Sequence, residues 1–257
     1  MKHTALKSSL FLILAVVLAA IVDKSTVSAQ YYQMKVRTFD GQITSFHVES
    51  VDSVYFEPRT MPVGEAVDLG LSVKWASFNV GASKPEDYGN YYAWGETETK
   101  TDYSLSTYKY CNGSYNTLTK YSTDKYYGMI DNNTTLGLED DAAHVNWGGS
   151  WRMPTKDEFT ELLNNCTWLW TTINGVNGYL VTSMKSGFGG ESIFLPAAGD
   201  RADTSLRYVG SYGLYWSSSL HTNTPNDAWY LGFYKGFQSE NVCLGRYEGL
   251  SVRPVCP

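Results

Sequence analysis

Cationic side chains are in short supply: 20 Lys and Arg stand against 26 Asp and Glu, a formal net charge of -6. A phosphate backbone demands the opposite balance, so no nucleic-acid partner is expected. An anionic membrane surface asks for the same basic excess. Histidine is scarcer still, and beyond the N-terminal segment only His47, His144 and His221 remain, with nothing to pair them. The four cysteines, Cys111, Cys166, Cys243 and Cys256, form no CxxC and lie far from the histidines, which speaks against zinc. No GxSxG, HExxH or phosphate-binding loop occurs. The glycine-rich stretch 186–191 lacks phosphate-cradle spacing and reads as a turn. With no gathered acid, base or nucleophile, an enzyme is not expected.

Long apolar runs are missing too, with one exception. Lys2, His3 and Lys7 precede an apolar run at residues 10–22, and Val27, Ser28 and Ala29 follow it. A basic start, a short apolar core and small residues at the end are the layout of a secretory signal, here residues 1–29 with cleavage after Ala29. The run is shorter than the roughly 20 residues a spanning helix needs, so no membrane insertion is expected. No Cys follows it to carry a lipoprotein anchor. The chain is therefore expected to be exported, to a periplasm, a cell surface or the medium. In such a compartment four cysteines suggest disulfides, and three pairings are open.

What the chain has in plenty is aromatic surface: 20 Tyr and 8 Trp, 15% aromatic in all, against 18% charged. Tyr and Trp set among Gly, Ser and Asn suit a strand- and loop-rich fold. Residues 30–62 read as a short N-terminal β unit and linker: a strand from Met34, a turn at Asp40 and Gly41, a return from Ile43, and a third strand at 54–57. Two or three strands alone are marginal, so residues 34–57 are candidates for self-association. Residues 101–137 show no period and read as long surface loops. Pro154, Thr155 and Glu158 form a helix start with a capping box, and Phe159, Leu162, Leu163 and Cys166 share one face. A shorter helix is expected at residues 139–145. Strand candidates follow at 178–183, 192–196, 213–218, 228–233 and 250–255. Helices in the middle and an antiparallel strand set after them make an α+β domain over residues 63–257.

Several spaced motifs resemble one family. Asp140-Asp-Ala-Ala, Trp147-Gly-Gly-Ser-Trp-Arg-Met-Pro-Thr with Glu158-Phe159, Tyr91-Tyr-Ala-Trp-Gly-Glu, Tyr215-Trp-Ser-Ser and Ser251-Val-Arg-Pro-Val resemble the FISUMP family, the Fibrobacter succinogenes major paralogous domain, as does the stretch 67–81. The likeness covers roughly residues 65–256. It implies a C-type-lectin-like fold, distantly similar to formylglycine-generating enzymes, with two helices, a twisted antiparallel sheet and a ligand face on the C-terminal strands and loops. It also implies a Cys166–Cys256 disulfide, since lectin-like domains often tie that helix to the last strand. Cys243 and Cys256 occupy the region of the enzymes' reactive pair, but their neighbours do not match the enzyme pattern. Similar lectin-like proteins are diversified at Tyr, Asn and Ser positions near the C-terminus, and this chain carries those residue types there.

Alternation in 228–234 would bury Trp229, Leu231 and Phe233 and present Tyr230 and Tyr234. With Tyr212, Tyr215, His221, Asn223, Asn226, Ser239, Asn241 and Tyr247, these tyrosines are the candidate ligand-binding residues. Tyr supplies rigid contact area, and Asn and Ser supply adaptable hydrogen bonding. The expected function is a surface-exposed, adhesin-like protein that binds an extracellular glycan or protein; a structural component of a fimbrial or surface assembly is the alternative. No cofactor is expected. Glu139, Asp140 and Asp141 offer hard oxygens suited to a structural calcium, set against their simpler use at a helix N-terminus.

Overall fold

A computed structural model describes residues 33–37, 43–48 and 62–257. The signal segment, the turn at Asp40 and Gly41, and the third strand at 54–57 lie outside the described residues. Chain contacts divide the molecule between Arg59 and Thr60 into two units. In the first, β1 (Gln33–Arg37) pairs antiparallel with β2 (Ile43–His47), from Gln33 opposite His47 to Arg37 opposite Ile43. Every β2 side chain is exposed, so neither face of that strand is covered within its own unit.

The second unit is α+β. Its strands are β3 (Ala66–Val67), β4 (Lys74–Ala76), β5 (Tyr91–Tyr92), β6 (Cys166–Ile173), β7 (Val176–Ser183), β8 (Ser192–Pro196), β9 (Asp200–Ala202), β10 (Ser205–Arg207), β11 (Tyr212–Leu220), β12 (Asp227–Tyr234), β13 (Phe237–Gly245), β14 (Leu250–Ser251) and β15 (Val255–Cys256). They form a five-stranded sheet β13-β12-β11-β14-β5, two three-stranded sheets, β15-β4-β3 and β6-β7-β8, and the hairpin β9-β10. The helices are α1 (Ala142–Trp147) and α2 (Lys156–Asn165). Among the described residues no helix is long and apolar enough to cross a membrane.

Helix α2 forms where the pattern predicts. Thr155 Oγ1 accepts the Glu158 amide at 3.2 Å, and Glu158 Oε2 accepts the Thr155 amide at 2.8 Å. Arg152 holds Glu158 from outside. Phe159 and Leu162 are buried, the Phe159 ring 5.5 Å from Trp75. The helix stops one residue earlier than its apolar spacing suggests. Cys166 is already extended and opens β6, which the sequence pattern missed.

The short helix is also displaced. Residues 138–140 make a 3-10 turn, and α1 begins after Asp141, whose carboxylate accepts the Ala143 and His144 amides at 2.9 and 3.0 Å. Asp141 Oδ2 takes the Met153 amide as well. Asp140 is buried among Tyr110, Tyr121 and Lys120. Burial works against its ionisation, but those three partners outweigh it and hold the carboxyl below the usual range. Both carboxylates are thus occupied by protein donors. Among the described residues no group of three His, Cys, Asp or Glu side chains is arranged to hold a metal ion.

Two apolar cores lie on opposite faces of the five-stranded sheet. Alternation sends Leu214 and Trp216 into one, with Trp94, Tyr92 and Tyr121, and sends Tyr215, Leu231 and Phe233 into the other, with Trp75, Phe159 and Val181. Residues 101–137 are irregular and mostly at the surface as expected, but they are anchored by side chains that the pattern did not mark: Tyr103, Tyr108, Tyr110, Leu118 and Tyr121 are buried. Two guanidiniums are fully buried, and the first fixes this irregular chain. Arg246 donates to Tyr108 Oη at 2.9 Å and to the carbonyls of Tyr121, Pro225 and Lys120. Arg253 reaches Asn79 Oδ1 and the carbonyls of Ala76 and Phe194 at 2.8–2.9 Å, and burial pushes its pKa down to about 10.

The Cys166–Cys256 disulfide is corrected: all four cysteines are free. Cys166 stands opposite Ser183 in the β6–β7 pairing, and Cys256 opposite Lys74 in the β15–β4 pairing. The two side chains belong to different sheets.

Candidate functional site

The candidate residues do not converge; strand direction separates them. Strand β12 starts beside the loop that carries His221, Asn223 and Asn226 and ends at Tyr234. Eight residues at strand rise place those ends about 23 Å apart.

At the Tyr234 end an aromatic ladder forms. Tyr212 and Tyr234 are register partners on β11 and β12, their ring centroids 5.3 Å apart. Tyr208 adds to one side at 5.2 Å, and Phe237 stacks on Tyr234 at 5.0 Å with an interplanar angle of 20°. All four rings are exposed, Tyr212 at 41% and Tyr234 at 42%. Beside them lies an open cleft of about 810 Å³ between the β6–β7 hairpin, the 208–212 turn and the β12–β13 hairpin. Trp170, Thr172, Asn177, Tyr212, Tyr234 and Lys235 line it, and Lys235 is its one charged lining residue.

The floor of the cleft is wired to the scaffold. Asn177 Nδ2 donates to the Gly210 carbonyl at 3.0 Å, and its Oδ1 accepts from Thr172 Oγ1 at 2.7 Å. Tyr179 Oη donates to the Tyr234 carbonyl and accepts the Gly236 amide at 2.9 Å, which pins the β12–β13 tip. Gly236 sits at φ 87°, a left-handed conformation that glycine adopts without a steric cost. Trp170 meets Tyr179 edge-on at 5.2 Å. A rigid base under exposed rings is what low-entropy stacking needs.

The other candidates sit elsewhere. Tyr215 is fully buried and donates to the Pro196 carbonyl at 2.6 Å, so it is a core residue. Tyr230 lies on the face opposite Leu231 and Phe233, as alternation suggested, but it is half-buried there. It packs edge-on against Trp216 at 6.2 Å, because the sheet carries a core on both faces. Trp229 is half-buried between His221, 4.4 Å away, and the Lys156 ammonium, 3.6 Å from its ring centre. Asn226 donates to Asp227 at 3.0 Å. Asn223 and Asn241 are exposed, and Ser239 Oγ accepts the Asn241 amide at 3.1 Å. Tyr247 is half-buried against the first core. Trp170, Asn177, Tyr208, Lys235 and Phe237 went unpredicted. Three distant segments meet there, and no spacing in the chain signals that.

Below the 208–212 turn, Arg207 bridges two carboxylates. Its Nε donates to Asp200 at 3.1 Å and its Nη2 to Glu248 at 2.5 Å. Burial pushes Glu248 up to about 7, Arg207 offsetting part of the effect and the Asp200 charge adding to it. Glu248 does not line the cleft, so its shift belongs to the scaffold. Three thiols are likewise raised: Cys166 to about 11 by burial, Cys243 by burial and by the nearby Asp227 carboxylate, and Cys256 by burial. Each stays protonated at neutral pH.

No family model, curated protein or solved structure matches the chain.

Proposed function

We propose that this is an exported, surface-exposed protein that binds an extracellular glycan or protein without turning it over, through the cleft beside the Tyr212–Tyr234 pair. The observation that carries the proposal is the ladder of four exposed rings on a hydrogen-bonded floor. Exposed tyrosines in contiguous contact present apolar faces for stacking, and the hydroxyl and amide groups of Thr172, Asn177 and Ser211 supply orientation. Within this proposal the domain is a FISUMP-type member of the C-type-lectin-like fold, on the motifs quoted above. Protonated thiols disfavour the nucleophilic chemistry of the formylglycine-generating enzymes. Screening against a glycan array and a panel of extracellular proteins should find a ligand. Replacing Tyr212 and Tyr234 together by Ala should then cost at least tenfold in affinity, about 1.4 kcal/mol. An unchanged affinity in the folded double variant overturns the proposal.

A second reading, assembly with copies of itself, draws on the N-terminal hairpin. Ile43 and Phe46 are exposed at 51% and 41% on the two strands of this unit that are described, and an uncovered hairpin invites pairing. Gel filtration over a concentration series should show oligomers that vanish when residues 30–57 are removed. A concentration-independent monomer in the longer chain rules the assembly out.

A further inference from the structure

A second cleft, of about 540 Å³, lies between residues 89–91, residues 99–103 and the β9–β10 hairpin. Its size is within the range of small-molecule sites. Arg201, Lys100, Thr99, Thr101 and Thr204 line it, and no carboxylate does. The two cations differ. The Lys100 ammonium is already held by Glu96 at 2.9 Å and by the Thr107 carbonyl at 3.2 Å. Arg201 is half-buried, with its guanidinium 5.4 Å from the centre of the Tyr91 ring. Among the described residues its side chain makes no ion pair and no hydrogen bond, while Arg152, Arg207, Arg246 and Arg253 each donate to two or more acceptors. Its backbone is fixed: Arg201 and Gly249 exchange both amide–carbonyl bonds at 2.8 Å. Strand alternation turns the neighbouring Asp200 away, to Arg207.

From this geometry we infer that the Arg201 cleft is a binding site for a carboxylate-bearing sugar, distinct from the aromatic groove. The guanidinium fork is preorganised for two parallel hydrogen bonds to a planar carboxylate. A half-buried cation that lacks an anion gains more from such a partner than an exposed one does. The threonines at 99, 101 and 204 line the same cleft, and their hydroxyls are donors and acceptors for ring hydroxyls, which a simple anion would leave unused.

The test is calorimetric titration of the full chain with galacturonate, galactose and acetate, joined to amide shift mapping by NMR. Galacturonate should bind at least tenfold more tightly than galactose or acetate, weaken with added salt, and shift the amides of residues 99–101 and 201–204. R201Q should remove that preference and R201K should retain only part of it, with near-ultraviolet circular dichroism unchanged. The Tyr212 and Tyr234 double Ala variant should bind galacturonate as the parent does, which separates this site from the groove. Equal binding of galactose or acetate, shifts confined to other residues, or galacturonate binding that survives R201Q overturns the inference. Should R201Q fail to fold, the shift map on the parent chain decides alone.

Discussion

Glu248 shows how one side chain can carry a pH response without being a functional group. Its folded pKa, about 7, stands above the ordinary carboxylate value of roughly 4.3. Between those two values the folded chain binds a proton that the unfolded chain has released. Stability from this group is therefore complete below about pH 4.5 and declines as the pH rises through about 7. Solvent access and the Arg207 contact reduce the effect to on the order of 2 kcal/mol. Urea unfolding at pH 5 and pH 8 should reveal it, and Glu248→Gln should flatten that part of the profile. Asp140 and Glu158 act in the other direction. Their partners hold both carboxyls below the usual range, so their contribution is lost only on acidification. The caps were visible in the sequence because the partner of Thr155 lies three residues away. The Glu248 shift was not, because Asp200 and Arg207 reach it from some 40 positions upstream.

At the scale of the element, the β12–β13 hairpin matters most, since its tip carries Tyr234 into the cleft. Tyr179 holds the tip through one hydroxyl that both donates and accepts. Tyr179→Phe keeps the ring packing on Trp168 and Trp170 and removes only those two bonds. A loss of about 1–2 kcal/mol in stability is expected, with faster amide exchange at Gly236 as the local readout. Alternation along 228–234 identified Leu231 and Phe233 as core. It placed Tyr230 on the opposite face but overstated its exposure, because period-two logic presumes one wet face and both faces of this sheet carry a core.

For the molecule as a whole, order in the irregular 101–137 segment depends on buried arginine. Arg246 gathers a hydroxyl and three carbonyls from two loops and stands 4.8 Å from the Trp94 ring centre. Arg246→Ala leaves those acceptors buried without a donor and should cost about 3–5 kcal/mol, read as a fall in urea midpoint with an unchanged slope. A small effect would mean the loop is held by its buried tyrosines alone. The same long-range packing separates the ligand candidates, since one end of β12 faces the Trp170 hairpin and the other faces helix α2.

Local chemistry settled what the sequence by itself could determine: the capped helix at Thr155, the α+β order of elements, and a Tyr-rich C-terminal half, because caps, periods and composition act over a few residues. Tertiary structure alone decided that β6 follows the helix at once, that Tyr103, Tyr108, Tyr110 and Tyr121 turn inward, that Cys166 and Cys256 stay apart, and that only Tyr212 and Tyr234 of ten candidates line the cleft. All but the first of those outcomes rest on contacts between segments tens of residues apart, and loop closure between such segments leaves no periodic mark along the chain.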